Sequence, residues 1–320
     1  MASDEPPVIV VAGPTASGKS RLALAVAREF AGTIINADSM QIYRDLHVLT
    51  ARPSDDELAL VPHRLYGAID AAESCSAGRW HDLALIEIAR ARRERRLPIL
   101  VGGTGLYLSA LLEGIADIPA VPAAVVAEAR ALHARLGGAE FRRALAALDP
   151  ASAAKLPAAD TQRLVRAFAV VCATGIPLSS WQQRQAPHRG PTAGAVILLP
   201  PRDALYAAID RRLERMFADG AIDEVRVLLG RQLSPLLPAM KAVGVREIGG
   251  YLAGEYARDA ALAAVQQATR RYAKRQYTWF RNRLPVRKKL RKTILDTQFS
   301  EKALPEIFSF IRQFLLTESK

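Results

Sequence analysis

The fold of this chain is constrained most by one octapeptide, which runs Gly13-Pro14-Thr15-Ala16-Ser17-Gly18-Lys19-Ser20. It follows the apolar, β-branched run 8–12, which predicts a parallel strand buried on both faces, and it precedes a helical pattern that begins at Arg21. A strand, a glycine-rich turn and a helix in this order match the phosphate-binding loop G-x-x-x-x-G-K-[ST]. In such a loop the backbone N–H groups converge on phosphate oxygens, Lys19 neutralises the terminal phosphate and Ser20 can ligate Mg²⁺. The motif predicts binding of a diphosphate group and does not by itself imply ATP.

Further strands and helices alternate along the chain, and this alternation predicts a parallel sheet. The predicted strands are 33–36, 99–101 and 195–199, and the predicted helices are 79–96, 203–229, 259–283 and 305–316. Residues 119–200 differ from the rest, because they are rich in Ala, Arg and Leu and have almost no strand pattern. We therefore expect an α/β fold with a P-loop NTPase-like core in two parts, 1–118 and 201–320, and an inserted helical subdomain at 119–200.

The charge of the chain favours a polyanionic partner. Its 320 residues include 44 Lys and Arg against 32 Asp and Glu, a formal net charge of +12. Charge alone fits a solvated surface equally well, but the stretch from Arg270 to Lys292 contains eleven basic residues and no acidic one. Cys75 and Cys172 lack the short spacing of a zinc site or a redox pair. We find no membrane-spanning pattern, and we expect a cytoplasmic monomer.

Asp38 is the acidic residue that we expect beside the phosphate-binding loop. It follows the second predicted strand, and the tips of neighbouring parallel strands meet at one edge of a sheet. Its spacing is equally consistent with an N-cap of a helix that begins at Ser39. A similar ambiguity concerns Trp279 and Phe280, which could stack on nucleic-acid bases or belong to the core.

Four segments together resemble the tRNA dimethylallyltransferase family: GPTASGKS at 13–20, DSMQIYR at 38–44, GGTGLY at 102–107 and KRQYTWFR at 274–281. The similarity extends over about residues 8–283. It implies a P-loop α/β core pierced by a channel, a helical insertion, Mg²⁺ as cofactor, dimethylallyl diphosphate as donor and the anticodon stem-loop of tRNA as acceptor.

The resemblance also implies roles for individual residues. The donor diphosphate would contact the loop 13–20 and Arg212, the general base would be Asp38, and Thr104 would lie at the channel wall beside both. The residues that match tRNA-contacting segments are Asp38, Ser39, Met40, Gln41, Thr104, Gln162, Arg163, Leu164, Val165, Arg166, Lys241, Gly244, Arg246, Lys274, Arg275, Gln276, Thr278, Trp279 and Arg281.

The expected reaction transfers a dimethylallyl group to the exocyclic amine of the adenosine 3′ to the anticodon, in tRNAs that read codons beginning with U. Three alternatives remain open: an adenylate isopentenyltransferase that acts on AMP, a P-loop kinase or ATPase, and a non-catalytic RNA-binding protein. The helical insertion and the basic stretch favour tRNA over AMP.

Overall fold

A computed structural model describes residues 7–183, 190–294 and 299–318. Within these ranges six strands form a parallel sheet in the order β3-β2-β4-β1-β5-β6. The strands are β1 (Val8–Ala12), β2 (Gly32–Asn36), β3 (His63–Arg64), β4 (Leu97–Gly102), β5 (Ala193–Leu198) and β6 (Arg291–Ile294). The predicted α/β class with a parallel sheet is confirmed.

The described ranges also contain thirteen α-helices. They are α1 (Lys19–Glu29), α2 (Asp55–Leu60), α3 (Ala77–Arg93), α4 (Gly105–Glu113), α5 (Ala123–Leu148), α6 (Pro150–Lys155), α7 (Thr161–Thr174), α8 (Leu178–Gln183), α9 (Arg202–Ala218), α10 (Ala221–Gly230), α11 (Val245–Leu252), α12 (Arg258–Arg283) and α13 (Leu304–Glu318). None of the helices in the described ranges has the length and apolar character needed to cross a membrane.

β1 lies in the middle of the sheet, between β4 and β5. All five of its residues are fully buried, which explains why its sequence is apolar without alternation. Its side chains divide between the two faces of the sheet: Ile9 and Val11 pack with α1 and α13, whereas Val8 and Val10 pack with the larger core on the opposite face. The predicted C-terminal helix, α13, therefore packs against the face of the sheet that carries Ile9 and Val11.

The carboxyl ends of β1, β2 and β4 lie together at one edge of the sheet, because Ala12 pairs with Gly102 and Asn36 with Val101. β1 leads into the phosphate-binding loop, and Gly18, the N-cap residue before α1, has a φ of 88°. This left-handed conformation favours glycine. A Cβ atom at Gly18 would also lie 2.8 Å from the Cβ of Phe299, so the loop packs closely against the C-terminal segment.

A separate compact unit spans Gly114–His188, and its described part is helical. Its core is formed by Phe141, Leu145 and Leu164 together with smaller side chains. The helical insertion predicted at 119–200 is thus placed too far toward the C-terminus, since β5 begins at Ala193 and belongs to the sheet.

Two other predicted elements differ from the structure. The helix expected from Asp203 to Leu229 is divided into α9 and α10 by Gly220, whose φ of 107° is incompatible with a continuous helix. The helix expected from Ser39 is wrong, because the chain forms turns there.

Candidate active site

Lys19 and Arg212 place two desolvated cations at the phosphate-binding loop. Burial lowers the pKa of Lys19 to about 8; Asp38 opposes this shift, and Arg212 adds to it. Burial likewise lowers the pKa of Arg212 to about 10. The Nη2 atom of Arg212 donates a hydrogen bond of 2.7 Å to the hydroxyl of Thr15. Desolvated cations are stabilised by an anion, so this arrangement fits a diphosphate.

Two buried polar atoms of the same region have no hydrogen-bond partner among the described residues. They are Oγ of Ser17, inside the loop, and Nε of Arg212. Buried polar atoms are normally paired in native proteins, and unpaired ones often mark a ligand or water position. Together with Lys19 they make the loop a candidate site for an anion.

Asp38 lies directly after β2, and its backbone is fixed by Asn36. The Asn36 side chain accepts a hydrogen bond of 2.9 Å from the Asp38 amide and donates one of 3.0 Å to the Asp38 carbonyl. Oδ1 of Asp38 accepts from the amide of Met40 at 3.0 Å. Asp38 is therefore a cap, as one interpretation predicted, but of a turn and not of a helix. Its charge also acts on Lys19 and Arg212, so the same carboxylate lies beside the two cations.

Thr104 joins the ends of β2 and β4. Its Oγ1 accepts a hydrogen bond of 2.9 Å from the amide of Ser39 and donates one of 3.2 Å to the Ser39 hydroxyl. Its own amide donates to the Ala37 carbonyl at 3.2 Å. Thr104 thereby holds the segment that carries Asp38, which agrees with the predicted proximity of the two residues.

Gln276 was predicted to contact RNA, but its side chain is buried inside the protein. It is 5% exposed, its Nε2 donates to the Gly103 carbonyl at 2.8 Å, and its Oε1 accepts from the Thr15 amide at 2.9 Å. A sequence signal for this burial exists. Thr269, Ala273, Gln276 and Phe280 are all buried and follow the i, i+4, i+7, i+11 spacing of one helix face.

A cavity of about 260 Å³ lies over this constellation. Its lining includes Thr15, Asp38, Arg212, Tyr272 and Arg275. Tyr272 was not among the predicted site residues. Burial and the neighbouring charge of Asp38 raise the pKa of its hydroxyl, which keeps Tyr272 neutral in the cavity wall. Three further predicted residues, Ser39, Met40 and Lys241, also line this cavity.

A second cavity, of about 540 Å³, lies on the outer side of α12. Its lining is strongly basic and consists of Arg271, Lys274, Arg275, Thr278, Trp279 and Arg283. Four of these residues were predicted to contact RNA, whereas Arg271 and Arg283 belong to the basic stretch but were not assigned individual contacts. Arg275 belongs to both cavities, so the basic face and the Asp38 site adjoin.

The two aromatic residues of α12 have different environments. Phe280 is fully buried, which confirms its interpretation as a core residue. Trp279 is half-buried: its ring packs on Gly105, where a Cβ atom would lie 2.3 Å away, and it also lines the basic cavity.

The remaining predicted RNA contacts fall into two groups. Exposed side chains are found at Gln162, Arg163, Arg166, Lys241, Arg246 and Arg281, whereas Gln41 is half-buried and donates to the carbonyls of Thr50 and Ala51.

Three predicted contacts are corrected by their burial. Leu164 and Val165 lie in the core of the helical unit, so their side chains do not face solvent. Gly244 is also buried; its amide donates to Glu247 and its carbonyl accepts from Ile248.

The residues at this edge of the sheet fit a magnesium ion that is held mainly by substrate. No cluster of three or more His, Cys, Asp or Glu side chains capable of holding a metal occurs among the described residues. Ser20 lies exposed in the first turn of α1, and Asp38 supplies a carboxylate beside the loop. Mg²⁺ typically takes one or two protein oxygens, keeps several waters and binds substrate phosphates, so this donor set is sufficient for it.

Similarity to known proteins covers nearly the whole chain. The family model described as IPP transferase matches residues 41–283. A tRNA dimethylallyltransferase of Rhodospirillum centenum is 55% identical over 280 residues, which cover 87% of this chain and 89% of that protein. Another tRNA dimethylallyltransferase, of Rhodospirillum rubrum, is 51% identical over 313 residues, which cover 97% of this chain and 96% of that protein.

Two solved structures have similar folds. The full-length tRNA isopentenylpyrophosphate transferase of Bacillus halodurans is 31% identical with a TM-score of 0.69, and the match covers 98% of each chain. A eukaryotic dimethylallyltransferase, described in crystallographic snapshots of the enzyme acting on tRNA, is 25% identical with a TM-score of 0.82; the match covers 97% of this chain and 80% of that one.

Proposed function

This chain belongs to the IPP transferase family of tRNA dimethylallyltransferases, and we propose that it moves a dimethylallyl group from dimethylallyl diphosphate to tRNA. The acceptor is the exocyclic amine of the adenosine 3′ to the anticodon, in tRNAs that read codons beginning with U, and the product is isopentenyladenosine. The resemblance found in the sequence is thus confirmed at the level of the family. The cytoplasmic location and the monomeric state stay predictions.

One observation supports this function above the others: a single cavity is lined by a donor-loop residue, a carboxylate and cations. Thr15 and Arg212 lie on the side of the phosphate-binding loop, Asp38 supplies the carboxylate, and Arg275 connects the cavity with the basic face of α12. A phosphorylated donor and a polyanionic acceptor can therefore approach the same carboxylate.

The donor end of the site stabilises the leaving group. As the carbon–oxygen bond of the donor breaks, negative charge accumulates on the diphosphate and the allylic carbon becomes cationic. Lys19, Arg212 and the loop amides are in place before the reaction and offset that negative charge. A Mg²⁺ ion held by Ser20 and the diphosphate would supply further positive charge there.

The acceptor end of the site removes a proton. The lone pair of an adenine exocyclic amine is delocalised into the ring, so the amine is a weak nucleophile, and its attack on the allylic carbon is assisted by proton removal. Asp38 takes this proton as the new carbon–nitrogen bond forms. Its Oδ1 is engaged by the Met40 amide, which holds the carboxylate while it acts as a base.

The basic cavity binds the anticodon stem-loop. A stacked base cannot present its amine to the inner cavity, so the target nucleotide leaves the stack at a cost of a few kcal/mol, which contacts to the rest of the loop offset. Lys274 and Arg275 supply such contacts to phosphates, and the half-buried Trp279 places an aromatic ring at the same surface.

The test is transfer of labelled dimethylallyl diphosphate to different acceptors. We expect label in bulk tRNA and in an anticodon stem-loop, and none in a matched stem-loop whose adenosine 3′ to the anticodon is replaced by guanosine. Efficient labelling of AMP would assign the protein to the adenylate isopentenyltransferases. ATP hydrolysis or phosphoryl transfer without prenyl transfer would assign it to the kinases and ATPases.

A further inference from the structure

We propose that Gln276 is a positioning residue, which fixes the donor loop against the turn that carries the acceptor side of the site. This inference rests on the proposed function. It assigns to Gln276 a role inside the protein in place of a contact with RNA.

Gln276 connects two glycine-containing loops that are distant in sequence. Its Oε1 accepts a hydrogen bond of 2.9 Å from the Thr15 amide, which is 261 residues away in sequence. Its Nε2 donates a hydrogen bond of 2.8 Å to the Gly103 carbonyl, which is 173 residues away in sequence. Thr15 lies in the phosphate-binding loop, and Gly103 precedes Thr104 in the turn after β4. One side chain therefore bridges the donor loop and the acceptor-side turn.

The fit around this amide is close. A Cβ atom at Gly103 would lie 2.2 Å from Nε2 of Gln276 and 3.4 Å from Oδ2 of Asp38. Side chains are excluded at Gly103, so the amide of Gln276 can approach the backbone directly. The carboxylate of Asp38 and the amide of Gln276 thus both lie next to Gly103.

The chemistry of the two bonds is specific for a carboxamide. The amide oxygen meets an N–H group and the amide nitrogen meets a carbonyl, so the group has one orientation that satisfies both partners. A glutamate could accept from Thr15 but would place a second oxygen against the Gly103 carbonyl. A methionine has a similar length but makes neither bond, so it would leave a buried amide and a buried carbonyl unpaired.

The same helix serves both substrates. On its outer side Lys274, Arg275 and Thr278 line the basic cavity, while Gln276 points inward to the donor loop. Because α12 carries both the residues that line the basic cavity and the contact with the donor loop, it holds the acceptor and the donor in a fixed relative position. A misplacement of about 1 Å can cost about a hundredfold in rate, so we expect the effect of Gln276 on the rate of transfer and not on the affinity for RNA.

The test compares Gln276→Met and Gln276→Glu with Gln267→Met and Gln267→Glu, which alter an exposed glutamine of the same helix. Single-turnover transfer is measured at saturating tRNA and donor, tRNA affinity by filter retention, and donor affinity by calorimetry with inorganic diphosphate. For Gln276→Met we expect about a hundredfold slower transfer with tRNA affinity within about threefold of wild type. Diphosphate affinity should fall about tenfold, because the loop is no longer held in its binding conformation.

The alternative outcomes are distinct. Wild-type transfer and wild-type diphosphate affinity in Gln276→Met would overturn the proposal, and weaker tRNA binding with an unchanged saturated rate would return Gln276 to the RNA site. If the wild-type enzyme transfers nothing from dimethylallyl diphosphate, the proposed function fails while diphosphate binding still tests the loop.

A second variant tests the same contact independently, in case Gln276→Met does not fold. Gly103→Ala displaces the same amide from the opposite side and should reproduce the slow transfer with intact tRNA binding. Melting temperatures of all variants confirm that folded proteins are compared. Wild-type transfer by a folded Gly103→Ala variant would also contradict the proposal.

Discussion

The guanidinium of Arg212 donates a hydrogen bond of 2.7 Å to the hydroxyl of Thr15, although 197 residues separate them. This bond brings a cation of α9 onto the phosphate-binding loop.

A lysine in place of Arg212 would present a single point of charge and could not hold both the hydroxyl and a phosphate oxygen in the same planar geometry. We therefore expect Arg212→Lys to lower kcat/KM for the donor by about a hundredfold. The exposed Arg211 on the same helix provides the matched control, Arg211→Lys; equal activity of the two variants would remove Arg212 from the donor site.

Lys19→Ala should abolish transfer and weaken donor binding, because a charge-assisted contact to the diphosphate is lost. Binding is measured by calorimetry with dimethylallyl diphosphate and transfer with labelled donor. Arg28→Ala, at an exposed position of the same helix α1, serves as the control for general loss of charge. Near-normal transfer by Lys19→Ala would refute the assignment of the loop to the donor.

Donor affinity should fall as the pH rises above about 8. The pKa of Lys19 is lowered to about 8 in the free protein, so below this pH the side chain is already a charged ammonium, and above it the neutral amine must take up a proton when the diphosphate binds. The affinity then decreases by at most about tenfold per pH unit. Calorimetry from about pH 7 to about pH 9.5 should show this decrease and the proton uptake. Lys19→Arg keeps its charge throughout, so its affinity curve should be flat over this range; a wild-type curve without the decrease would show that Lys19 does not titrate on binding.

Asp38→Asn should slow transfer by about a hundredfold or more and leave tRNA affinity mostly intact. Asparagine retains an oxygen that can accept from the Met40 amide, so the turn keeps its cap while the base is lost. The measurement is a single-turnover rate with tRNA binding determined in parallel. An unchanged rate would mean that Asp38 acts only as the cap.

Replacing Lys274, Arg275 and Arg281 together by Gln should weaken RNA binding and flatten its salt dependence. All three side chains are exposed, so the fold should survive, and each phosphate contact contributes roughly one unit to the slope of log K against log salt. Anisotropy with an anticodon stem-loop at several salt concentrations measures the slope, and circular dichroism verifies the fold. Donor binding should respond little to salt; a folded triple variant with the wild-type slope would exclude this face of α12 from the RNA site.

The central strands and Asp38 were predictable because local sequence and topology determine them together. A strand buried on both faces has to be apolar throughout, as β1 is, and parallel strands bring their carboxyl ends to one edge. β3 and β6 escaped prediction. β3 has only two residues, and β6 begins with the last two residues of the basic stretch, Arg291 and Lys292, so neither strand has an apolar pattern.

The wrong predictions of site residues concern side chains whose burial depends on tertiary contacts that the local sequence does not show. Gln276 was grouped with the cations that surround it in sequence, but its partners come from Thr15 and Gly103. Leu164 and Val165 were grouped with Arg163 and Arg166, although a helix turns successive side chains toward different sides and buries these two. Matching a segment to a family assigns a region, whereas burial decides which of its side chains can meet a ligand.

Because β1 lies in the middle of the sheet, the strands are not synthesised in the order in which they pair. β1 and the phosphate-binding loop leave the ribosome before the other strands of the sheet, yet the strands that pair with β1 are β4 and β5, which are made later. The side-chain amide of Gln276, which accepts a hydrogen bond from Thr15, is made later still, with α12. Contacts between residues so far apart in the chain form late in folding. A nascent chain therefore exposes the loop long before it holds a complete donor pocket, and an incomplete polypeptide should not sequester the prenyl diphosphate from the finished enzyme.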